Sequence, residues 1–150
     1  MDYLARREHS FYELETKLNR KYPDTGLDLI RQTIDGLRKD KLQCDQRFAE
    51  SYVRYRKSRG FAYHHIKNDL SSRGVDDSII AAQLFMDDDD WLTMLEESLS
   101  KKLGSGRLEF GSKQHRRMLR FLESRGFPSL LVRKSVEKRL EFPLQSAQLD

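Results

Sequence analysis

The sequence predicts an all-α protein, an elongated and curved array of three tandem three-helix repeats. One observation is an internal repeat: Ser-Arg-Gly-Val at 72–75 recurs 52 residues later as Ser-Arg-Gly-Phe at 124–127. A second is composition, since 35% of the 150 residues are charged and only 37% are hydrophobic. That apolar supply is thin for one compact core of this length. A repeat array needs only a narrow core in each unit, together with contacts between neighbouring units.

The third observation is an apolar pair spaced as one helical stripe, which occurs in each of three copies. The pairs are Leu14 with Leu18, Ile66 with Leu70, and Met118 with Leu122. Each copy therefore contains at least one amphipathic helix followed by a break. We predict repeat one over 1–44 with a truncated first helix, repeat two over 45–87, repeat three over 88–140 with a loop at 104–111, and a C-terminal tail over 141–150.

Two full helices are predicted in repeat one. Ser10 and Glu13 form a capping-box pattern that opens the first of them, and Pro23 and Gly26 end it. The second carries an apolar stripe at Leu27, Ile30, Ile34 and Leu37.

Repeat two is predicted to begin with a helix that Asp45 caps and that runs to Gly60. Its interior residues are expected to be Phe48, Tyr52, Val53 and Tyr55. A helix over about 62–72 follows, and Gly74 has the position of a C-terminal cap. Val75 and Ile80 have the spacing of a hydrophobic staple, which indicates a third helix through Leu84 and Phe85.

In repeat three, residues 88–90 can cap a helix whose apolar residues are Trp91, Leu92, Leu95 and Leu99. A helix over Lys113–Ser124 follows the glycine-containing loop, and Pro128 opens the last helix. No strand longer than a few residues is expected. Helices of about a dozen residues are marginal alone in water, so these must stack on one another.

Charge alternates along the chain although the net charge is only +4. Residues 51–73, the first basic segment, hold six Lys and Arg against Asp69 alone. Residues 74–100, the acidic segment, hold eight carboxylates and no Lys or Arg. Residues 101–139, the second basic segment, hold twelve Lys and Arg against three Glu. Two separate basic segments in so small a chain favour a polyanionic partner over mere solubility.

Several classes of protein and site are disfavoured. No apolar run approaches the length of a transmembrane helix, no signal peptide is recognisable at the N-terminus, and a single cysteine, Cys44, excludes an internal disulfide. We expect a cytoplasmic monomer. The four aspartates of 87–90 point around a helix axis instead of converging on a metal ion, and the adjacent His64 and His65 cannot share one as an i, i+4 pair does. We expect no catalytic residue, no metal and no cofactor.

The candidate contact residues are cations on the basic segments, because phosphates and acidic protein surfaces bind Lys and Arg. They are Arg54, Arg56, Lys57, Arg59, Lys67, Arg73, Lys101, Lys102, Lys113, Arg116, Arg117, Arg120 and Arg125. On one helix, the cations between 54 and 59 are expected to lie opposite a Phe48/Tyr52/Tyr55 stripe.

The sequence resembles the bacterial RecX family in several motifs. Leu-Ala-Arg-Arg-Glu-His-Ser at 4–10 is similar to the opening motif of that family, and Asp-Gln-Arg-Phe-Ala-Glu-Ser-Tyr-Val-Arg at 45–54 to its most typical stretch. Arg-Gly-Val at 73–75 and Arg-Gly-Phe at 125–127 continue the likeness. It departs from the family where 41–45 reads Lys-Leu-Gln-Cys-Asp and 61–63 reads Phe-Ala-Tyr.

The resemblance implies a non-enzymatic negative modulator of the RecA recombinase with three tandem three-helix repeats. Such proteins lie in the groove of the RecA–single-stranded DNA filament and stop its extension or promote its disassembly. The ATPase, strand-exchange and coprotease activities of RecA then fall. The implied partners are the RecA filament and single-stranded DNA, with double-stranded DNA as a further candidate.

Two other functions are open on the sequence alone. A DNA-binding repressor built on helix-turn-helix units is compatible with basic three-helix repeats, although Asp76 and Asp77 place acid where a recognition helix reads bases. A helical enzyme that uses the aspartates of 87–90 is the least favoured.

Overall fold

The computed structural model describes residues 3–144. Over that range the chain forms nine helices and two strands of two residues, which confirms the predicted all-α fold. The helices are α1 (Tyr3–Arg6), α2 (Phe11–Lys21), α3 (Leu27–Lys39), α4 (Asp45–Ser58), α5 (Tyr63–Ser72), α6 (Asp77–Gln83), α7 (Asp90–Leu103), α8 (Lys113–Ser124) and α9 (Ser129–Glu137). Strand β1 (Leu108–Glu109) precedes α8, and β2 (Leu140–Glu141) follows α9. The predicted tail over 141–150 lies mostly outside the described residues.

The chain forms two compact units. Unit 1 consists of the residues up to 59 together with 66–85, and unit 2 of residues 60–65 with those from 86 onward. Helix α5 therefore starts in unit 2 and continues in unit 1.

In unit 1, the predicted apolar stripes form the core. Helix α2 packs on α3 through Leu14, Leu18, Ile30 and Ile34, all at most 4% exposed. Helix α4 packs on α6, with Phe48, Ala49, Val53 and Ile80 buried. The capping box at the start of α2 is confirmed, because Ser10 Oγ accepts from the Glu13 N–H and the Glu13 carboxylate accepts from the Ser10 N–H.

In unit 2, helices α7 and α8 both pack on α9, and α8 also contacts β1. The core consists of Trp91, Leu95, Leu99, Leu108, Met118, Leu122, Phe127, Val132 and Val136. The start and end of α8 are as predicted.

The repeated Ser-Arg-Gly segments form the same turn twice. After α5, the Val75 N–H donates to the Leu70 carbonyl and the Gly74 N–H to the Ser71 carbonyl. After α8, Phe127 donates to Leu122, and Gly126 to Glu123. These pairs of hydrogen bonds define the Schellman motif, which requires a left-handed residue after the helix; Gly74 has φ +73° and Gly126 has φ +94°.

Carbonyl groups of each Schellman turn also accept hydrogen bonds from residues at the start of an earlier helix. In unit 1, Ser10 Oγ donates to the Arg73 carbonyl at 2.7 Å. In unit 2, the Ala62 N–H donates to the Arg125 carbonyl at 2.7 Å, and the His64 N–H to the Gly126 carbonyl at 2.9 Å. Ser10 and Ala62 are themselves 52 residues apart. The sequence repeat therefore encodes both the turn and the contact that the turn makes.

Several local predictions are wrong. Asp45 is the first residue of α4 and does not cap it; its carboxylate accepts from the Phe11 N–H and from Gln43 Nε2, both at 2.9 Å. Tyr55 is 53% exposed, because the buried face of α4 follows Ala49 and Val53 instead of the tyrosines. Helix α6 ends at Gln83, before Leu84 and Phe85.

Apolar residues at two helix starts are also more exposed than predicted. Leu27 is 39% exposed and Leu92 is 45% exposed, since each lies in the first turn of its helix and away from the buried stripe. The side chain of Asp89 makes no capping hydrogen bond to α7; Asp88 Oδ1 accepts from the Asp90 N–H at 2.9 Å instead.

Candidate nucleic-acid interface

Helix α8 presents the most regular row of cations. Its first turn is fixed by Ser112, whose hydroxyl accepts from the His115 N–H at 3.1 Å. The buried Met118 and Leu122 set the inward face, so residues three and four positions apart on the other side form one exposed row. The exposed members of that row are Lys113, Arg116, Arg117 and Arg120. Between the described residues, no ion pair or hydrogen bond engages the charged groups of Lys113, Arg117 and Arg120.

A groove in unit 2 runs beside this row. It has a volume of about 630 Å³ and is lined by cations at Lys102, Arg107 and Arg117. Lys102 Nζ lies 4.5 Å from the Phe121 ring centroid, a cation–π distance. Lys101 lies beside it in the last turn of α7, exposed.

In unit 1, the cations of the first basic segment differ in their surroundings. The side chain of Arg54 is 74% exposed and lies 3.9 Å from Glu50. The Arg59 guanidinium lies 5.8 Å from the exposed Tyr55 ring. Lys57 is half-buried and Lys67 is exposed.

Arg56 is held in a hydrogen-bonded network, where its side chain is only 25% exposed. Its Nε and Nη2 atoms donate to Asp69 Oδ2 at 3.2 and 3.0 Å, and the Tyr52 hydroxyl donates to the same oxygen at 2.7 Å. Burial and the hydrogen bond to Asp69 raise the pKa of Tyr52. Burial lowers the pKa of Arg56, but the interactions with Asp69 and Tyr52 together outweigh it and raise that pKa overall. Arg56 therefore joins α4 to α5 in addition to carrying charge.

The two arginines of the repeated turns also pack against neighbours. The Arg73 guanidinium lies 4.8 Å from the Tyr52 ring centroid, and its Nε lies 3.5 Å from Glu13 Oε2. The Arg125 guanidinium lies 4.6 Å from the Phe61 ring and 5.2 Å from the Phe121 ring. Both side chains are half-buried, so they hold the turns in place.

Glu13 lies in the first turn of α2 and interacts with two arginines. Arg7 donates to both of its carboxylate oxygens, at 3.2 and 3.1 Å. Burial raises the pKa of Glu13, but the hydrogen bonds from Arg7 and from the Ser10 N–H outweigh it and hold the pKa below its usual value of 4.5. Glu13 therefore remains ionised at neutral pH, where it fixes Arg7 and Arg73.

Among the residues that the structure describes, no group of three or more His, Cys, Asp or Glu side chains is arranged to hold a metal ion. No helix in that range is both long and apolar enough to cross a membrane.

A second internal repeat was not predicted from the sequence. Arg-Leu-Glu-Phe occurs at 107–110 and again at 139–142. The two copies pair in parallel as β1 and β2, with Leu108 opposite Leu140 and Glu109 opposite Glu141. The identical tetrapeptides and the apolar–polar alternation were the signal for this short sheet. One copy lies in the predicted loop over 104–111, and the other spans the predicted boundary between repeat three and the tail.

Short helices, one turn that occurs twice at an offset of 52 residues, and exposed Lys and Arg side chains define the class: an all-α repeat protein with basic surfaces. A family model for the second three-helix domain of RecX matches residues 45–84. The chain is 34% identical over 140 residues to the regulatory protein RecX of Pseudomonas entomophila, covering 93% of this chain and 88% of that one. It is 34% identical over 124 residues to RecX of Haemophilus ducreyi, covering 83% and 79%.

A solved structure has the same fold. The crystal structure of RecX from Lactobacillus salivarius superimposes with a TM-score of 0.66 at 25% identity, covering 91% of this chain and 89% of that one. The chain belongs to the RecX family of regulatory proteins.

Proposed function

We propose that this protein is a negative modulator of the RecA recombinase. It binds the RecA–single-stranded DNA filament in the cytoplasm as a monomer and inhibits filament extension, ATP hydrolysis, strand exchange and coprotease activity. Membership in a family of regulatory proteins supports a regulatory role. The protein acts by binding, without a catalytic residue or cofactor of its own.

The observation that carries the proposal is the exposed cationic row of α8. Lys113, Arg117 and Arg120 lie on one exposed helix face, with no acidic residue before Glu123 on that helix. A row of cations neutralises successive phosphates and releases their counterions, so affinity for single-stranded DNA falls with salt. Acidic side chains on a protein partner would pair with the same cations.

The other cations divide by their surroundings in the structure. Arg54, Arg59, Lys67, Lys101, Lys102 and Arg116 are exposed and are proposed as direct contacts. Arg56, Arg73 and Arg125 are proposed to act mainly by holding the helices that carry those contacts, and half-buried Lys57 is proposed as a peripheral contact.

Reversal of the α8 row tests the proposal. The wild type and the variant Lys113→Glu/Arg117→Glu/Arg120→Glu are each titrated into labelled single-stranded DNA coated with RecA, and binding is measured by fluorescence anisotropy. We expect filament binding to weaken at least tenfold. We also expect the slope of log affinity for free single-stranded DNA against log salt to fall in magnitude by roughly 2, because each lost phosphate contact removes about 0.7.

The matched control reverses three exposed cations elsewhere, as Arg20→Glu/Lys21→Glu/Lys39→Glu. It changes the net charge by the same amount as the α8 variant. Its three residues lie within 1–50, where basic and acidic residues are equal in number. Equal weakening by both variants, with helicity intact, contradicts the assignment to α8. A footprint at one operator sequence without RecA supports the repressor function instead.

A further inference from the structure

The paired Arg-Leu-Glu-Phe segments place two phenylalanines side by side. The register Leu108↔Leu140 and Glu109↔Glu141 continues to Phe110, whose N–H donates to the Glu141 carbonyl at 2.8 Å. Phe110 and Phe142 therefore come together, with ring centroids 5.2 Å apart and planes inclined by 29°. We call these two residues the phenylalanine pair.

The phenylalanine pair borders an apolar cavity and is exposed to solvent. Phe110 is 52% exposed and Phe142 is 64% exposed. Both line a cavity of about 350 Å³, together with the aliphatic residues Leu119, Val136 and Leu140. Two adjacent aromatic rings so exposed form an apolar surface with no partner from the described residues on its outer side.

His115 fixes the position of Phe110. Its ring centroid lies 5.6 Å from that of Phe110, and its Nδ1 accepts from the Gly111 N–H at 3.0 Å. The Arg116 guanidinium donates to the Gly111 carbonyl. The loop that carries Phe110 is thus tied to the first turns of α8.

Two cations lie near the phenylalanine pair, and two of the three nearby glutamates lie on the other face of the strands. Arg116 lies at the adjacent Gly111, and Arg133 lines the same cavity. Side chains alternate along a strand, so Glu109 and Glu141 lie on the opposite face from Leu108 and the phenylalanine pair. Among residues 3–144, Glu137 is the one carboxylate that lines the cavity.

We propose that the phenylalanine pair is a stacking platform for an unpaired nucleobase of single-stranded DNA, with the flanking phosphates on Arg116 and Arg133. Exposed aromatic rings beside cations are the combination that binds single strands, because every base offers a π-face and every nucleotide a phosphate. Two rings provide far less area than a stable protein interface requires. This inference rests on the single-stranded DNA part of the proposed function and gives it a definite base contact.

The test compares base-bearing and abasic DNA of equal charge. Affinities for a deoxythymidine oligonucleotide and for an abasic sugar–phosphate chain of the same length are to be measured for the wild type and for Phe110→Ala/Phe142→Ala. We expect the wild type to prefer the base-bearing chain about 5- to 150-fold and the variant to lose that preference. Leu130→Ala is the control, since it removes a 69% exposed apolar side chain from α9 of the same unit.

Three outcomes overturn the platform. One is an unchanged preference in the double variant with helicity intact, and another is an equal loss of affinity for both DNAs. The third is a change of oligomeric state on sedimentation, which assigns the pair to a protein contact. If RecA inhibition persists in any of these cases, the platform fails while the regulatory function stands.

Discussion

At the scale of single residues, unit 1 depends on a few buried polar contacts. His9 is 2% exposed; its Nδ1 lies 3.1 Å from the Arg7 carbonyl and its Nε2 lies 2.9 Å from Lys17 Nζ. This geometry fits a neutral ring that donates through Nδ1 and accepts through Nε2. Burial and the cations Arg7 and Lys17 lower the pKa of His9 below 6.5, although the Arg7 carbonyl and Glu13 act in the other direction.

Stability is therefore expected to fall as the pH drops below about 6.5. The unfolded chain then binds a proton at His9 that the folded chain excludes, so the free energy of unfolding decreases. Urea unfolding of the wild type and of His9→Gln at about pH 7.5 and 5.5 checks this. The wild type should lose more stability than the variant between the two pH values; equal losses would exclude His9, since the other histidines are common to both proteins.

Arg56 and Arg54 are matched in chemistry but differ in surroundings. We expect a double-alanine cycle on Arg56 and Asp69 to give a coupling of about 1 kcal/mol, because their contact is half-buried and shared with Tyr52. The exposed Arg54–Glu50 pair, at 3.9 Å, should give a coupling below about 0.5 kcal/mol. Thermal unfolding measures both cycles. A larger coupling for the exposed pair would contradict the structural role given to Arg56.

At the scale of elements, the repeated Schellman turns combine a backbone requirement with a close approach. A Cβ at Gly126 would lie 2.8 Å from the Ala62 carbonyl oxygen, and one at Gly74 would lie 2.5 Å from Tyr12 Cβ. Any side chain at these positions would therefore displace the helix start that docks there.

Gly126→Ala is expected to lower the free energy of unfolding by about 2–4 kcal/mol, through left-handed strain and overlap with Ala62. Gly36→Ala is the control, because Gly36 lies inside α3 with open space around it. Alanine there should raise the stability by about 0.5–1 kcal/mol. Chemical denaturation measures the free energy of unfolding of both variants. An unchanged value for Gly126→Ala would show that the turn is not constrained.

The elements also show how far the sequence leads. The caps at Ser10 and Gly74 and the bounds of α8 were predictable, because each depends on a local pattern of a few residues. The exposure of Tyr55 was not, since a stripe does not say which of two adjacent helix faces meets the core. Asp45 was misassigned because its partner, the Phe11 N–H, is distant in sequence.

The candidate site divides in the same way. The cationic row of α8 follows from helical spacing alone. The half-buried setting of Arg56 depends on Asp69, which lies on another helix. The phenylalanine pair depends on strand pairing between residues 32 positions apart, which periodicity within one helix cannot reveal.

At the scale of the whole molecule, the shortage of apolar residues has a structural counterpart. The core of each unit is a small set of apolar side chains between packed helices. Much of the surface therefore remains available to charged side chains. The modest net charge of +4 conceals exposed cations on both units, such as Arg54 and Arg59 in unit 1 and the row of α8 in unit 2. Such cations suit the proposed partner, a complex of DNA and protein that presents both phosphates and acidic side chains.

The most direct test of a RecA modulator is a titration of the purified protein into RecA assembled on single-stranded DNA, with ATP hydrolysis as the measured quantity. We expect the hydrolysis rate to fall progressively to a small fraction of its starting value as the protein is added. Undiminished hydrolysis at an excess of folded protein over RecA would contradict the proposed function.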